Sequence, residues 1–126
     1  MLKKSYIFYL YLYLYLYLYL YLYLPETIEI KACGHFLTGE IAAMTNLTAI
    51  LALGGIAHNA VLAALGQKRA SFPFAHGACH ELSNGLLLTD SYHCSRLNTN
   101  TGRLTVKMFE DVVGTLKTRI EEAKIN

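Results

Sequence analysis

Residues Leu86-Leu87-Leu88-Thr89-Asp90-Ser91 lead directly into Tyr92-His93-Cys94-Ser95-Arg96-Leu97-Asn98-Thr99-Asn100-Thr101-Gly102-Arg103, and this stretch decides the fold. The first six residues predict a buried strand, and the polar residues after it precede a helix that begins near Thr105. A loop that follows a buried strand and precedes a helix lies at the carboxyl end of the sheet, where open α/β sheets bind ligands. We therefore expect an α/β domain whose site lies in this loop.

The loop combines an imidazole, hydroxyls, amides and two guanidinium groups. Arg96 and Arg103 suit phosphate, because a planar guanidinium grips it with two parallel hydrogen bonds. His93 comes first after the strand, where a catalytic or ligand-polarising group is expected. Five further side chains suit phosphate, sugar or base edges: Ser95, Asn98, Thr99, Asn100 and Thr101. The alternative is a polar surface turn, hydrogen-bonded to its own backbone, that ends in a helix cap.

Size and composition narrow the possible classes of protein. The 126 residues allow one domain at most, and a formal net charge of +2 permits a polyanionic partner without requiring one. The three cysteines form no Cys-x-x-Cys pair, which argues against a disulfide framework and against a self-contained zinc site. We expect reduced, intracellular thiols. The sequence contains no P-loop, zinc-ligand spacing or catalytic triad.

Residues 1–24 form a low-complexity segment in which Tyr and Leu alternate from Tyr9 to Leu24. Read as a helix, residues 6–24 would span roughly 28 Å, about the thickness of a bilayer core. Read as a strand, the segment would place every Tyr on one face and would be prone to aggregation. The third interpretation, which we favour, is a translated six-base DNA repeat that carries no evolved design.

Residues 25–126 show the pattern of a small globular domain. Apolar residues at helical spacing after Pro25 predict a first helix: Ile30, Cys33, Leu37, Ile41 and Met44. Thr48–Leu53 predicts a buried strand, Ile56–Leu65 a helix, and Phe72–His76 an extended edge segment confined there by its proline. The last helix, capped by Thr105, carries an apolar stripe at Met108, Phe109, Val112, Val113, Leu116 and Ile120. Alternating strands and helices imply a layered domain with a mostly parallel sheet.

The loop resembles the last active-site motif of the iron–sulfur uracil-DNA glycosylases, especially their type 5 branch. There, His-Pro-Ser or His-Cys-Ser runs into Asn-Thr-x-Thr-Gly-Arg-Leu, and this chain has His93-Cys94-Ser95 and Asn98–Leu104. The resemblance extends from about Pro25 to Ile120. It includes Ala32-Cys33-x-x-Phe36-Leu37, Leu51-Ala52-Leu53-Gly54 and Phe74-Ala75-His76-Gly77-Ala78. It implies a partial three-layer uracil-DNA-glycosylase-like domain, the carboxyl-terminal part of such a protein, at residues 25–126.

The resemblance assigns roles to the loop residues. His93 would donate a hydrogen bond to uracil O2 and stabilise the charge that develops as the glycosidic bond breaks. Ser95 and Arg96 would hold phosphates beside the extruded base, and residues 98–103 would track or wedge the DNA strand. His76 would border the site, with a structural hydrogen bond as the alternative. Two further histidines, His58 in a helix and His80 in a loop, are expected to be ordinary surface or core residues.

The resemblance also makes Cys33 the fourth ligand of a [4Fe–4S] cluster, with a small buried thiol as the alternative. The other three cysteines of the family lie upstream, where this chain has its Tyr-Leu segment, and neither Cys79 nor Cys94 fits their positions. We therefore expect no assembled cluster. The family also has a Gly-rich motif that positions water and an asparagine that reads the pyrimidine. This sequence contains neither.

These observations predict a uracil-DNA-glycosylase-like protein of base excision repair. The family reaction is hydrolysis of the N-glycosidic bond of uracil in DNA, and this chain is expected to be weakly active or inactive. Its expected partner is uracil-containing DNA, with no protein partner evident, and its expected location is the nucleoid in the cytoplasm. Two alternatives remain open: a non-catalytic nucleic-acid-binding remnant, and a small protein anchored in a membrane through residues 6–24.

Overall fold

The computed structural model describes residues 27–125, with the side chains of residues 34–123. The Tyr-Leu segment, and with it the prediction for residues 1–24, lies outside the described residues. No helix between residues 27 and 125 is both long enough and apolar enough to cross a bilayer.

The described residues form four α-helices, one short 3-10 helix and three strands. Their bounds are α1 Thr27–Ala43, β1 Ala49–Leu53, α2 Gly55–Ala64, a short 3-10 helix Arg69–Ser71, β2 Cys79–Glu81, β3 Leu87–Ser91, α3 Arg96–Asn100 and α4 Val106–Ile125. The three strands form one sheet in the order β1-β3-β2. β1 runs parallel to β3, and β2 runs antiparallel to it. The predicted α/β class is confirmed, in the form of a small mixed sheet.

β3 is the central strand, and all five of its residues are buried. Because successive side chains of a strand point to opposite faces, β3 contributes to two separate apolar cores. Leu88 packs with Leu37 of α1 and Leu62 of α2, whereas Leu87 packs with Leu116 of α4. Helices therefore cover both faces of the sheet, which is the partial three-layer arrangement that the sequence predicts.

The edge strand lies elsewhere than expected. The prediction of an extended edge segment at Phe72–His76 is wrong, because the strand that pairs with β3 is β2. The backbone of Phe72 is used differently: its N–H donates to the carbonyl of Arg69, and its own carbonyl accepts from His58. Pro73, which follows, has no N–H to donate to a ladder. The prediction that His80 lies in a loop is also wrong, since His80 is the middle residue of β2.

The last helix follows its sequence signal closely. The Thr105 hydroxyl accepts a hydrogen bond from the backbone N–H of Met108 at 3.1 Å, so Thr105 caps α4 as predicted. Val112 and Leu116 are buried, and the other members of the apolar stripe are half-buried. Burying a Val or Leu side chain contributes about 1.5–3 kcal/mol, so this stripe fixes α4 on the sheet. The polar loop is thereby held between β3 and α4.

Candidate nucleic-acid site

Residues 92–103, which we call the basic loop, begin where β1 and β3 end side by side. The N–H of Gly54 donates to the carbonyl of Ser91 at 2.8 Å, which ties the two strand ends together. Gly54 has φ 92° and ψ 166°, a backbone conformation that is essentially restricted to glycine. A Cβ atom at Gly54 would lie 3.4 Å from the Cβ of His93. His93 therefore packs directly against the turn that follows β1.

His93 is buried, with 9% of its surface exposed. Burial lowers the pKa of the His93 imidazole from its usual 6.5, because the charged form loses hydration inside the protein. The neutral form therefore predominates at pH 7. A neutral imidazole carries one N–H that can donate a hydrogen bond without bringing a full positive charge into the site.

Asn98 holds the basic loop in shape. Its side-chain amide donates to the carbonyl of His93 at 2.7 Å, and its own carbonyl accepts from the N–H of Leu104 at 3.0 Å. Its backbone N–H donates to the hydroxyl of Ser95 at 3.3 Å, so Ser95 caps the short helix α3. The amide that the sequence suggests for DNA thus has a structural partner within the loop.

The hydroxyls of the basic loop differ in whether their protons are available to a ligand. Thr99 donates to the carbonyl of Ser95 at 3.0 Å, and Thr101 donates to the carbonyl of Leu97 at 2.6 Å. Their protons therefore point into the loop, away from an approaching anion. Ser95 accepts at its hydroxyl oxygen, so its proton remains available for a phosphate oxygen. Asn100 is exposed.

Both arginines of the basic loop are exposed, and no carboxylate among the described side chains pairs with either of them. The guanidinium of Arg103 lies over the Tyr92 ring, 4.8 Å from its centroid. The imidazole of His76 stacks on the same ring at 4.6 Å, and its Nδ1 accepts a hydrogen bond from the N–H of Tyr92 at 2.9 Å. His76 thus lies beside the loop and makes a structural hydrogen bond to it. Arg96 carries its charge at the start of α3.

A second group of polar residues, which the sequence did not single out, lies beneath the sheet end. The buried His58 and Asp90 and the half-buried His80 form a group that we call the histidine–aspartate cluster. The Nδ1 atom of His58 lies 2.6 Å from Oδ1 of Asp90, and its Nε2 lies 2.6 Å from the carbonyl oxygen of Phe72. The Nε2 atom of His80 lies 3.3 Å from Oδ2 of Asp90. The available signal was a carboxylate within an otherwise apolar strand, which needs a buried partner.

The described cysteines do not fit an iron–sulfur cluster. Cys79 packs beside Leu87 on the α4 face of the sheet, whereas α1, the helix that contains Cys33, packs on the opposite face. Cys94 is exposed in the basic loop, and the chain has only three cysteines for a group that takes four thiolates. The side chain of Cys33 lies outside the described residues.

Comparison with known proteins agrees with this fold and this loop. The family model described as "Uracil DNA glycosylase superfamily" matches residues 5–117, most of the chain. The chain therefore belongs to the uracil DNA glycosylase superfamily. The match begins within the Tyr-Leu segment, ahead of the predicted domain boundary at residue 25.

Within that superfamily, the similar curated proteins are type-5 uracil-DNA glycosylases, which confirms the resemblance of the sequence to that branch. The protein of Thermus thermophilus is 42% identical over 89 residues, which cover 71% of this chain and 41% of the relative. That of Pyrobaculum aerophilum is 39% identical over 89 residues, 71% of this chain and 38% of the relative. That of Mycobacterium tuberculosis is 37% identical over 90 residues, 70% of this chain and 34% of the relative. The matched part thus spans about two fifths or less of these relatives.

Proposed function

We propose that this chain carries the DNA-grasping side of a uracil-DNA glycosylase site, that it binds uracil-containing DNA through the basic loop, and that it turns over little on its own. The observation that carries this proposal is that one short loop holds both a buried imidazole, His93, and two exposed guanidiniums. Neutral donors and unpaired cations are what a flipped nucleotide and its phosphates require.

The roles proposed for the loop residues follow from their hydrogen bonds. Arg96 and Arg103 contact phosphates, since no carboxylate in the described part of the chain neutralises them. Ser95 adds a hydroxyl proton, whereas Thr99 and Thr101 support the loop because their protons are already donated to carbonyls. Asn98 fixes the carbonyl of His93 and so orients that residue. Asn100 remains an exposed contact.

His93 is the residue proposed to touch the base. A fixed N–H beside uracil O2 stabilises the negative charge that accumulates on the leaving base, and it does so without reorganisation during the reaction. Because the imidazole is neutral, it donates this hydrogen bond without losing its own proton. His76 acts indirectly: it holds the backbone and ring of Tyr92, over which Arg103 lies.

Little turnover is expected because the Gly-rich water-positioning motif that the resemblance would require is absent from this sequence. The proposed cellular setting is DNA at the nucleoid, where a mildly basic chain meets a polyanion. The iron–sulfur cluster that the resemblance suggests is not part of this proposal, because the described cysteines do not fit it.

DNA binding is tested by fluorescence anisotropy with a labelled single-stranded oligonucleotide that contains one uracil. Arg96→Ala and Arg103→Ala should each weaken binding and lower the salt dependence, the slope of log affinity against log salt, by about 1. Arg119→Ala is the matched control, since Arg119 is an exposed arginine on α4 away from the loop, and it should leave the slope unchanged. Absence of binding, or equal effects of all three variants, would refute the proposal.

Turnover is tested by strand cleavage at abasic sites in the same oligonucleotide after incubation with excess protein. The wild-type chain should stay near the level of His93→Ala. Robust cleavage that His93→Ala abolishes would overturn the proposed low activity while supporting the proposed role of His93. Binding without cleavage in either protein is the result we expect.

A further inference from the structure

The histidine–aspartate cluster is assembled by the strand register and not by sequence proximity. β2 pairs with β3 so that His80 stands opposite Leu88, which places His80 and Asp90 on the same face of the sheet. α2 packs on that face and brings His58 over the carboxylate of Asp90. Three elements thus converge on one buried carboxylate.

The donor atoms of the cluster are spaced closely enough to share one small cation. One ligand atom from each of the three residues lies within 4.8 Å of the others. The two observed contacts to the carboxylate are 2.6 Å from His58 and 3.3 Å from His80. A tetrahedral zinc ion with ligands at about 2.0–2.2 Å separates those ligands by roughly 3.4 Å. A bound zinc ion would therefore widen the 2.6 Å contact between His58 and Asp90 to roughly 3.4 Å, and it would draw together the ligand atoms that now lie up to 4.8 Å apart.

Two backbone groups already hold the cluster in the orientation that a metal needs. Nε2 of His58 lies 2.6 Å from the carbonyl oxygen of Phe72, so that nitrogen carries its proton and Nδ1 faces the carboxylate. The N–H of Ala75 lies 3.4 Å from Oδ2 of Asp90. Metal-binding histidines usually donate their second ring N–H to a carbonyl or carboxylate, which fixes the tautomer.

The polar groups of the cluster are incompletely satisfied by one another. Nε2 of His80 is buried and has no hydrogen bond with the rest of the described chain, although Asp90 lies 3.3 Å away. One proton must lie between His58 Nδ1 and Asp90 Oδ1, because Nε2 of His58 already donates to a carbonyl. A dication would replace that shared proton and take His80 as a third ligand.

We propose that His58, His80 and Asp90 bind a zinc ion that joins α2 to β2 and β3. The ligand atoms are Nδ1 of His58, Nε2 of His80 and a carboxylate oxygen of Asp90, with a fourth position left for water. The site stabilises the fold by linking three elements, and it does not depend on the function proposed for the basic loop.

Zinc binding is measured by competition with a chromophoric chelator on the purified, metal-stripped chain. The wild type should bind one zinc per chain, and its thermal unfolding midpoint should rise with zinc concentration. His80→Ala should weaken zinc binding at least about tenfold, as expected when one of three protein ligands is lost. His35→Ala is the matched control, since His35 is exposed on α1, and it should bind zinc like the wild type.

Cobalt substitution in the wild type identifies the ligands without any variant, in case His80→Ala does not fold. Cobalt bound by two imidazoles and a carboxylate should give visible d–d bands without the near-ultraviolet thiolate charge-transfer band. A strong thiolate band would assign the metal to the cysteines and overturn the proposal. No zinc binding by the wild type, or equal binding by His80→Ala, would show that the cluster is a hydrogen-bonded core only.

Discussion

The histidine–aspartate cluster and the basic loop lie two residues apart at Asp90 and Tyr92, yet they satisfy their polar groups in opposite ways. The cluster joins residues from α2, β2 and β3, and its carboxylate is fully buried. The loop bonds mostly to itself, through Ser95 and Asn98, and leaves its guanidiniums in water. The cluster therefore lies between packed elements of the fold, whereas the loop lies at the surface with its guanidiniums exposed to solvent.

This difference separates stability from binding. A polar group that has left water must keep its partner, because an unpaired buried group costs more than the pair contributes. An exposed cation costs little when removed, since water already hydrates it. Substitutions in the cluster should therefore change the free energy of unfolding, and substitutions of Arg96 or Arg103 should change DNA affinity while the fold persists.

The largest expected effect is that of Asp90→Ala, which removes the carboxylate shared by the two histidines of the cluster. The buried imidazole of His58 and the half-buried imidazole of His80 would lose the carboxylate that both face. Losing one member of a buried, hydrogen-bonded pair costs about 3–5 kcal/mol, which is a large part of the stability of a small domain. Urea unfolding in the presence of EDTA, followed by circular dichroism, measures the loss without a contribution from bound metal.

Asp111→Ala is the matched control for Asp90→Ala. Asp111 makes an exposed ion pair with Lys107 at 3.4 Å on α4, and such pairs contribute little. Its removal should change the free energy of unfolding by less than about 0.5 kcal/mol. If Asp90→Ala cost less than about 1 kcal/mol, the cluster would not be the buried centre described above.

The fold was predictable where the signal is local. The apolar run at Ala49–Leu53 and the capped, striped helix after Thr105 both carry their pattern in consecutive residues, and both predictions are confirmed. β2 has only three residues, one of them histidine, so it has no periodicity to detect. Its pairing is decided by the backbone of β3, which a sequence pattern does not reveal.

The candidate site also has one part that the sequence predicted and one part that it did not. The basic loop was found because its residues are adjacent in the sequence and because together they resemble a long motif of the type 5 branch. The cluster was missed because His58 and Asp90 are 32 residues apart and meet only through the packing of α2 on β3. A carboxylate in the apolar strand Leu87–Ser91 predicted a buried partner in principle. Nothing in the sequence distinguished His58 from the remaining histidines as that partner.

A smaller effect is expected at Gly54, which contacts both regions: its carbonyl accepts from the N–H of His58 at 3.1 Å, and His93 packs against it. Gly54→Ala must hold φ 92° and ψ 166°, which costs a residue with a side chain about 1–3 kcal/mol. The added Cβ would meet the Cβ of His93 at 3.4 Å, an ordinary contact, so the cost comes from backbone strain and not from a clash. Urea unfolding gives the change in free energy, and DNA anisotropy shows whether His93 and its loop are displaced with it.

Gly114→Ala is the control for Gly54→Ala, and its expected effect on stability has the opposite sign. Gly114 lies inside α4, and nothing lies within 4 Å of an added Cβ. The same substitution there should stabilise the chain by about 0.5–1 kcal/mol, because alanine favours the helix over glycine. A stabilising or neutral effect of Gly54→Ala would show that the turn under His93 relaxes, and the loop would then be less firmly joined to the sheet.

The smallest effect is a difference in how the two regions respond to pH. Burial lowers the pKa of His93 from 6.5, so its contribution to stability is fully present above about pH 6.5 and is lost as the pH falls through the lowered pKa. Burial raises the pKa of Asp90 from 3.8, so its contribution is fully present below that pH and is lost as the pH rises through the raised pKa.

His93→Gln isolates the response of the basic loop to pH. Between pH 7 and pH 5 the free energy of unfolding of the wild type should fall more than that of His93→Gln. The difference between the two slopes against pH should correspond to less than one bound proton, because a single imidazole accounts for it. Urea unfolding midpoints at several pH values measure it, and His35→Gln controls for the removal of a histidine from an exposed position. Parallel curves for the wild type and His93→Gln would mean that His93 takes up its proton as readily in the folded chain as in the unfolded one. The imidazole proposed to face uracil would then become charged at the same pH as a histidine in water. The proposed difference between the buried cluster and the pH-responsive loop would not hold for His93.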